Sequence, residues 1–493
     1  MKRKLLFFKC CMAGVTLLLT GCSSTRHLKE DEYLLVQNKV TANRKELPTK
    51  GDLYYLAKPA ANRQLLGVYP VKAALYQSLL PSDENSRDKK WKQWMRKNFG
   101  EEPVLLDSAA VAASCRQMQQ YLYNKGYFSS EVRSEIRHRK KKAKVLYRIT
   151  ADECYTLNEA SYEVADTNIR KIILKDKPHS LLQAGIPYDV EILSNERERI
   201  AEMMANLGFF HFTADNISYR IDSNLNSHRF NVKVVVQSGR ELADSNGERI
   251  PAPLRRYYIR NIEIHARDIE EQKLHTDSLT YQRPNRQGGF HTYRLYLENG
   301  VKYKPKALVY PLIFHSGSRY SARASKGSYN RYNDMQNFRF IRISYQETEE
   351  SRANPNDSGW LDCQIQLSKL ENHKLDLEVL GKDIGNDYGI GANINYKNRN
   401  IFHGGEILFA NLLFSTEFQR TSNRNDEEGN MPIWRYRNFE IGGETGLHFP
   451  KILFPHHHFD LRKPIRANTD ISVGSYFQQR DHYSRFIANT NLK

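Results

Sequence analysis

From His373 onward, apolar and polar residues alternate over segments longer than a soluble strand needs. Leu375, Leu377 and Val379 alternate with Lys374, Asp376 and Glu378. Tyr388, Ile390, Ala392, Ile394 and Tyr396 oppose Gly389, Gly391, Asn393 and Asn395. Leu408, Ala410, Leu412, Phe414 and Phe418 continue the pattern, as do Thr469, Ile471, Val473 and Phe477. It is clearest where Phe439, Ile441, Thr445, Leu447 and Phe449 face Asn438, Glu440, Glu444 and His448. Successive side chains of a strand point to opposite faces, so each segment has one apolar face and one bearing carboxylates and amides. A transmembrane β-barrel strand requires that division. A soluble β-sandwich also alternates, but its strands run to about five or six residues. Residues 373–493 give 121 positions, room for at most about six strands of about ten residues plus turns. Single-chain barrels need about eight or more, and an open edge inside lipid is not viable. The chain also ends on Asn491-Leu492-Lys493, without the aromatic residue that usually closes such barrels. Residues 372–493 therefore read as the N-terminal portion of an antiparallel transmembrane β-barrel, incomplete at about six strands. Such a barrel is either truncated or completed by other chains.

The amino terminus decides the compartment. Lys2, Arg3 and Lys4 precede an apolar run from Cys10 to Leu19, which suits a signal peptide; a spanning helix needs about twenty residues. Leu19-Thr20-Gly21-Cys22 matches a bacterial lipobox, placing cleavage between Gly21 and Cys22 and lipid on the Cys22 thiol. The alternative is an ordinary secretory signal with a chance cysteine. Residues 1–21 are thus the expected signal peptide and 22–30 a lipidated linker. Ser23 to His27 contain no acidic run of the kind that sends some lipoproteins to the cell surface, so the lipid is expected to face the periplasm. One lipid chain holds a protein only marginally, so a second membrane element or further chains are expected.

Export also changes the meaning of the charge. The formal charge of +18 falls to +14 once Lys2, Arg3, Lys4 and Lys9 leave with the signal. In the cytoplasm such a balance would suggest nucleic acid; outside it, anionic lipid is the natural counter-charge. The densest basic run, Arg137 to Lys142, reads as a solvated hairpin turn between two strands. Cys115, Cys154 and Cys363 are the cysteines left after Cys22, too few for a disulfide scaffold, and each suits a small buried apolar position.

Between about 31 and 371 a strand–helix–turn–strand–strand pattern recurs. Asp107 caps a helix with Val111, Cys115, Met118 and Leu122 on one face, ended by Gly126-Tyr127-Phe128. Asp189 caps a second with Val190, Leu193, Ile200, Met204 and Leu207, ended by Gly208-Phe209-Phe210. Both intervals from cap to glycine are 19 residues. Strand pairs are expected at Glu131–Arg137 with Lys144–Thr150, and at Ile217–Ile221 with Phe230–Gln237. A third copy is announced by Gly317-Ser318-Arg319-Tyr320-Ser321, which parallels Gly185-Ile186-Pro187-Tyr188-Asp189 position by position. Its helix is expected to end at Gln336-Asn337-Phe338, with Asn337 tolerating the left-handed turn, before strands Phe340–Tyr345 and Leu361–Leu367. Opening strands correspond too, Tyr155-x-Leu157-x-x-Ala160 with Tyr257-x-Ile259-x-x-Ile262. The domains expected are 31–152, 153–240 and 256–371. A small sheet with an exposed edge can pair with any extended peptide through its backbone; the repeats either handle peptides in this way or act as rigid spacers.

Taken together, these residues resemble the BamA/TamA family of outer-membrane assembly and translocation proteins, and within it the TamL lipoprotein variant. The resemblance covers roughly 22–493. It is carried by the lipobox and Ser23 to Leu28, by Asn62-Arg63-Gln64-Leu65-Leu66-Gly67 and by the terminators at Gly126, Phe128, Gly208 and Phe210. In the barrel segment it is carried by Tyr388-Gly389-Ile390-Gly391 and by Asn398-Arg399-Asn400-Ile401-Phe402-His403-Gly404-Gly405. The last resembles the turn into an early barrel strand of that family. The resemblance implies that the repeats are POTRA domains, that a full-length relative closes a sixteen-stranded barrel, and that a TamB-like periplasmic partner exists. The family's Val-Arg-Gly signature and closing strand do not occur in this sequence, and lateral opening of the barrel depends on that strand.

The function this implies is binding of unfolded outer-membrane clients by POTRA β-augmentation and their insertion through the barrel. The chain would sit in the outer membrane with its repeats in the periplasm, in contact with outer-membrane lipid, without nucleic acid, cofactor or metal. No Ser/His/Asp, H-E-x-x-H, P-loop or paired-carboxylate signature marks an enzyme. His456-His457-His458, flanked by Phe449-Pro450-Lys451 and Phe454-Pro455, lacks partner ligands at metal-binding spacing and reads as a turn between two strands. The alternatives are an inactive truncated relative, a structural lipoprotein scaffold, or one subunit of a multi-chain barrel channel.

Overall fold

The computed structural model describes residues 25, 28–44, 47, 50–64, 70–81, 89–224, 227–237, 239–243, 249–268, 276–285, 288–298, 300–354, 357–384, 387–421, 433–451, 453, 468–480 and 483–493. Gly21, Cys22 and the run at His456 lie outside the described residues. The chain divides into two compact units, one reaching to Arg197 and including Ile217–Val236, the other comprising Glu198–Asn216 and Gln237–Lys493. No described helix is long and apolar enough to cross a membrane.

In the first unit, β1 (Leu34–Ala42) is followed by α1 (Lys50–Tyr55), α2 (Val71–Ser78), α3 (Lys90–Phe99) and α4 (Ser108–Asn124). The hairpin of β2 (Glu131–Arg139) and β3 (Lys142–Thr150) then gives a sheet of order β1-β3-β2, with β1 parallel to β3. Of the basic run only Lys140 and Lys141 form its turn, with Lys140 at a φ of 54°, while Arg137 to Arg139 extend β2 and Lys142 opens β3. Asp107 caps α4 by accepting from the amides of Ala109 and Ala110. Val111, Met118 and Leu122 of that helix pack with Leu35, Val145, Tyr147 and Ile149 of the sheet; each such side chain contributes about 1.5–3 kcal/mol. Cys115 lies beside this core, half-buried, and Ser114 is the fully buried neighbour.

The same order returns in β4 (Thr156–Val164), α5 (Thr167–Asp176), α6 (Val190–Asn206), β5 (Ile217–Asn224) and β6 (Arg229–Val236), paired as β4-β6-β5. The α6 face differs from expectation at both ends of its first turns. Val190 is 41% exposed, because it is the first helical residue beyond the cap, whereas Glu196 is fully buried. Its carboxylate accepts from the Ser180 hydroxyl at 2.8 Å and the Leu181 amide at 3.0 Å. A charge can occupy a core position when such bonds replace water.

In the second unit, a short hairpin of β7 (Gly239–Ala243) and β8 (Arg249–Pro253) precedes β9 (Tyr257–Arg267), β10 (Thr276–Pro284), β11 (Phe290–Glu298), α7 (Pro305–Val309) and α8 (Ala322–Asp334). β12 (Phe338–Glu347), α9 (Glu349–Ala353) and β13 (Gly359–Lys369) complete a sheet of order β10-β11-β9-β13-β12. The third repeat therefore carries a hairpin, β10 and β11, that the recurring pattern does not contain. The left-handed residue after α8 is Gln336, with φ 53°, rather than Asn337. Asn337 is buried and donates to the carbonyls of Met335 and Gly405, each at 2.8 Å, a role that fixes it in the core instead of the turn.

Two backbone details recur in all three opening strands. Each carries one extra residue relative to its parallel partner, after Leu35, Leu157 and Ile259. Each is also strapped on its outer edge by the segment that leads into the capped helix. Leu106 N donates to Tyr33 O, Tyr188 N to Tyr155 O and Tyr320 N to Tyr257 O, at 2.8, 2.7 and 2.9 Å. The three repeats thus share the same strand irregularity and the same strap.

The remainder of the second unit is one antiparallel meander: β14 (His373–Ile384), β15 (Asp387–Arg399), β16 (Ile407–Thr421), β17 (Ile433–Phe449), β18 (Thr469–Arg480) and β19 (Tyr483–Leu492). The fold class is thus α+β repeats followed by an antiparallel sheet of six strands, as the alternation predicts.

Candidate functional site: the joints and the two-faced sheet

The helix terminators do more than stop helices. Gly126 has φ +87° and Gly208 φ +98°, conformations that favour glycine. The Gly126 carbonyl accepts from the amide of Tyr155, where the next repeat begins, at 3.0 Å, and the Gly208 carbonyl accepts from Tyr257 at 2.8 Å. Phe128 then sits among the rings of Tyr123, Tyr155 and Tyr188, with centroids 4.8–4.9 Å apart. Phe210 sits among Tyr257, Tyr320 and Tyr345. The cap of the following helix closes each joint. Asp189 binds Lys125 Nζ at 2.7 Å, and that bond, the largest influence on the ammonium, raises its pKa against the opposing effect of burial. At the second joint Asn206 Oδ1 accepts from the Arg323 amide at 2.7 Å and the Ser321 hydroxyl at 3.2 Å.

The motif from Asn398 to Gly405 makes the third joint. Arg399, ending β15, donates through Nε to Gln336 O at 3.1 Å and through Nη1 to Glu371 O at 3.0 Å. Asn400, left-handed at φ 61°, donates to Lys302 O at 2.7 Å while its Oδ1 accepts from the Gly405 amide at 3.0 Å. His403 O accepts from Lys304 N at 2.7 Å. Gly404 N bonds the Glu406 carboxylate at 2.9 Å, and a Cβ on Gly405 would stand 2.6 Å from Met335 Cε. Phe402 is half exposed at the tip. So the third repeat's terminator docks on the turn between β15 and β16 as the earlier terminators dock on the next repeat. Spacing located the terminators at Gly126 and Gly208, and resemblance the motif at Asn398; their common role shows only once their partners are known.

Asn400→Ala removes two hydrogen bonds and places alanine at a positive φ. It is expected to cost about 2–3 kcal/mol locally. Hydrogen exchange should show Lys304 and Gly405 losing protection while β17 and β18 keep theirs.

The six-stranded sheet is polarised. Leu375, Leu377 and Val379 are about two-thirds exposed, and Ile390, Leu412, Ile441, Val473 and Phe486 are exposed with them. They are in register: Leu377 opposes Ile394, Ile394 opposes Leu412, Phe414 opposes Ile441, Ile441 opposes Phe477, and Phe477 opposes Phe486. The other face is a hydrogen-bonded polar layer. Lys382 reaches Ser415 and Glu417, Asn438 donates to Glu417 at 3.1 Å, Ser472 to Glu444 at 2.7 Å, and Gln478 to Glu440.

No family model matches the sequence, and no curated protein matches it. Solved structures similar to the chain include BamA from Haemophilus ducreyi lacking POTRA domains 1–3, with 12% identity, a TM-score of 0.31, and coverage of 69% of this chain and 58% of that one. POTRA3–5 of Haemophilus influenzae BamA gives 11% identity and a TM-score of 0.32 over 69% of this chain and 99% of that one. CdiB from Acinetobacter baumannii gives 14% identity and a TM-score of 0.24 over 69% and 55%. The chain thus spans a little over half the length of the longer of these proteins. Likeness at these values carries no argument of its own, and the architecture rests on the strand pairing described above.

Proposed function

We propose that this chain is an outer-membrane protein assembly or translocation factor of the BamA/TamA kind, in its TamL lipoprotein form. Lipid on Cys22 and the β14–β19 sheet would hold it in the outer membrane, and its POTRA repeats would lie in the periplasm. The observation that carries this reading is the exposed apolar face, continuous in register across six strands and backed by a bonded polar layer. Contiguous exposed apolar surface of that extent marks a membrane or protein contact, and a soluble sheet would cover it. In lipid the outer edges of β14 and β19 need backbone partners, which further strands would supply.

The repeats fit client binding through their free edges. The opening strands β1 and β4 are strapped at their starts and β9 lies inside its sheet, so β2, β5 and, in the third repeat, β12 and β10 are the edges left. An extended client segment adding there would gain backbone bonds without a sequence requirement. The work would be done by binding and by membrane perturbation, not by an enzymatic step. A TamB-like periplasmic partner follows from the same reading. Depletion of the chain in its host is expected to lower the outer-membrane content of other barrel proteins, measured by quantitative proteomics of the membrane fraction. Unchanged levels would overturn the assignment.

A further inference from the structure

The helix α3 in the first repeat, Lys90 to Phe99, has no part in the joints or the sheet edges. It reads Lys-Trp-Lys-Gln-Trp-Met-Arg-Lys-Asn-Phe and follows Lys89. Not one of its residues is buried. Trp91, Trp94 and Phe99 are 56, 57 and 50% exposed, and the Trp94 and Phe99 rings touch edge-on at 5.5 Å. At about 100° per residue, Trp94, Asn98, Trp91, Met95 and Phe99 fall in succession on one arc of about 140°. Lys92, Arg96, Gln93, Lys97 and Lys90 occupy the rest. The helix is held to the body by Arg96, whose Nη1 donates to Leu79 O at 2.8 Å, with Lys92 and Met95 half-buried beside it. That fixes the outward side as the tryptophans flanked by Lys90 and Lys97.

A folded periplasmic domain has no internal reason to present two tryptophans and a phenylalanine to water on a helix it does not bury. The combination of an aromatic face, lysines along its border and no acidic residue in the helix matches a helix lying in a bilayer interface. There, indole rings rest at headgroup depth and lysines meet phosphate. We propose that α3 is a membrane-surface anchor that seats the first repeat on an anionic phospholipid bilayer. The charge complementarity names the occupant: Lys89, Lys90 and Lys97 are exposed, the helix carries no acidic residue to answer them, and phosphodiester headgroups supply the missing charge. A protein partner with an acidic, aromatic-binding groove is the competing occupant. The inference stands apart from client insertion. Cys22 lies twelve positions before Leu34, a reach of at most about 40 Å, so a lipid at Cys22 would hold this helix close to a bilayer. Lipid plus a basic aromatic helix is the two-signal combination that stable peripheral attachment requires.

The test uses the full chain with vesicles of phosphatidylcholine, alone or with phosphatidylglycerol, carrying brominated acyl chains. The difference in emission between the chain and its W91F/W94F variant isolates these two indoles from Trp360 and Trp434. That component should be quenched and blue-shifted in the anionic vesicles, less so in neutral ones, and released by salt. Lys89→Glu, Lys90→Glu and Lys97→Glu together should weaken the partitioning of this segment on the order of a hundredfold. Arg96 is left in place so that the helix keeps its attachment, which circular dichroism checks. A component unquenched and unshifted in both vesicle types would overturn the proposal. So would shielding of these indoles only when a periplasmic protein fraction is added, which would assign the face to a protein.

Discussion

Alanine at Gly126 is expected to destabilise the first unit by about 3 kcal/mol, and alanine at Gly208 to cost about 1–2 kcal/mol in the second. Both residues pay the same conformational penalty, since both sit at strongly positive φ. They differ in what the new Cβ would meet. At Gly126 it would stand 2.9 Å from Tyr188 Cβ and 3.0 Å from both the Tyr188 carbonyl and Cys154 Sγ. Those atoms are held by the joint's own hydrogen bonds and ring contacts. At Gly208 the nearest atoms are Cγ and Cδ of Arg319, at 2.8 and 3.0 Å, part of a flexible side chain that can swing aside. Hydrogen exchange at Tyr155 and Tyr257, whose amides bond the two glycine carbonyls, reads each joint separately. Equal loss of protection at the two sites would mean that φ alone governs the cost and that joint packing contributes nothing.

Much of this architecture is written in local pattern. Alternation located the strands of the terminal sheet because each has one face for water or side-chain partners and one apolar face. The 19-residue spacing found the two full repeats because cap and terminator are local chemistry. What the pattern could not give is what depends on partners distant in sequence. Glu196 is absent from the expected buried face because nothing local reveals the Ser180 hydroxyl and Leu181 amide that receive it. Gln336 took the left-handed turn because Asn337, the better candidate by propensity, was committed to the Gly405 carbonyl across the third joint. Asn398 to Gly405 stood out by resemblance, yet its task of receiving Lys304, Gln336 and Asn337 is readable only in three dimensions.

The β10–β11 hairpin was missed for a related reason, and it alters the reading of the third repeat. Thr276 to Pro284 and Phe290 to Glu298 alternate weakly because their sheet is covered on one side only in part; Leu279 and Tyr281 are half-buried while Tyr293 and Leu295 are fully buried. β11 pairs parallel with β9 from Arg294 to Leu297, so the edge that remains partly open in β4 beyond its strap is filled in the third repeat by the chain itself. A client strand is therefore expected to meet β12 or β10, the two edges of that sheet, rather than β9.

The largest pH effect should arise at Glu347, at the foot of the second joint. Its Oε1 accepts from Arg255 Nη2 at 2.5 Å, Ser351 Oγ at 2.9 Å and the Tyr257 hydroxyl at 3.1 Å, and Oε2 faces His211 Nε2 at 3.4 Å. Arg255 also donates to the Ser351 carbonyl. The side chains of Arg255 and Glu347 are only 9 and 14% exposed. Burial by itself would raise the Glu347 pKa, but the bonds from His211, Arg255 and Ser351 overrule it and hold the group at about 2. Burial also pushes the Tyr257 hydroxyl up to about 12, so the phenol stays a donor. Because the folded carboxyl is more acidic than an unfolded one, its contribution is complete above about pH 5 and is lost as pH falls toward 2. The shift corresponds to about 3 kcal/mol. Glu347→Gln should remove that acid-dependent loss and cost about 3–5 kcal/mol at neutral pH, since Arg255 would stay buried without its counter-charge. Replacing both partners, Arg255→Met with Glu347→Leu, should recover much of the deficit. Unfolding followed by hydrogen exchange in β9 and β12 between pH 7 and pH 3 provides the check. A Glu347→Gln variant with an unchanged acid profile would show that the carboxylate is not the group that titrates.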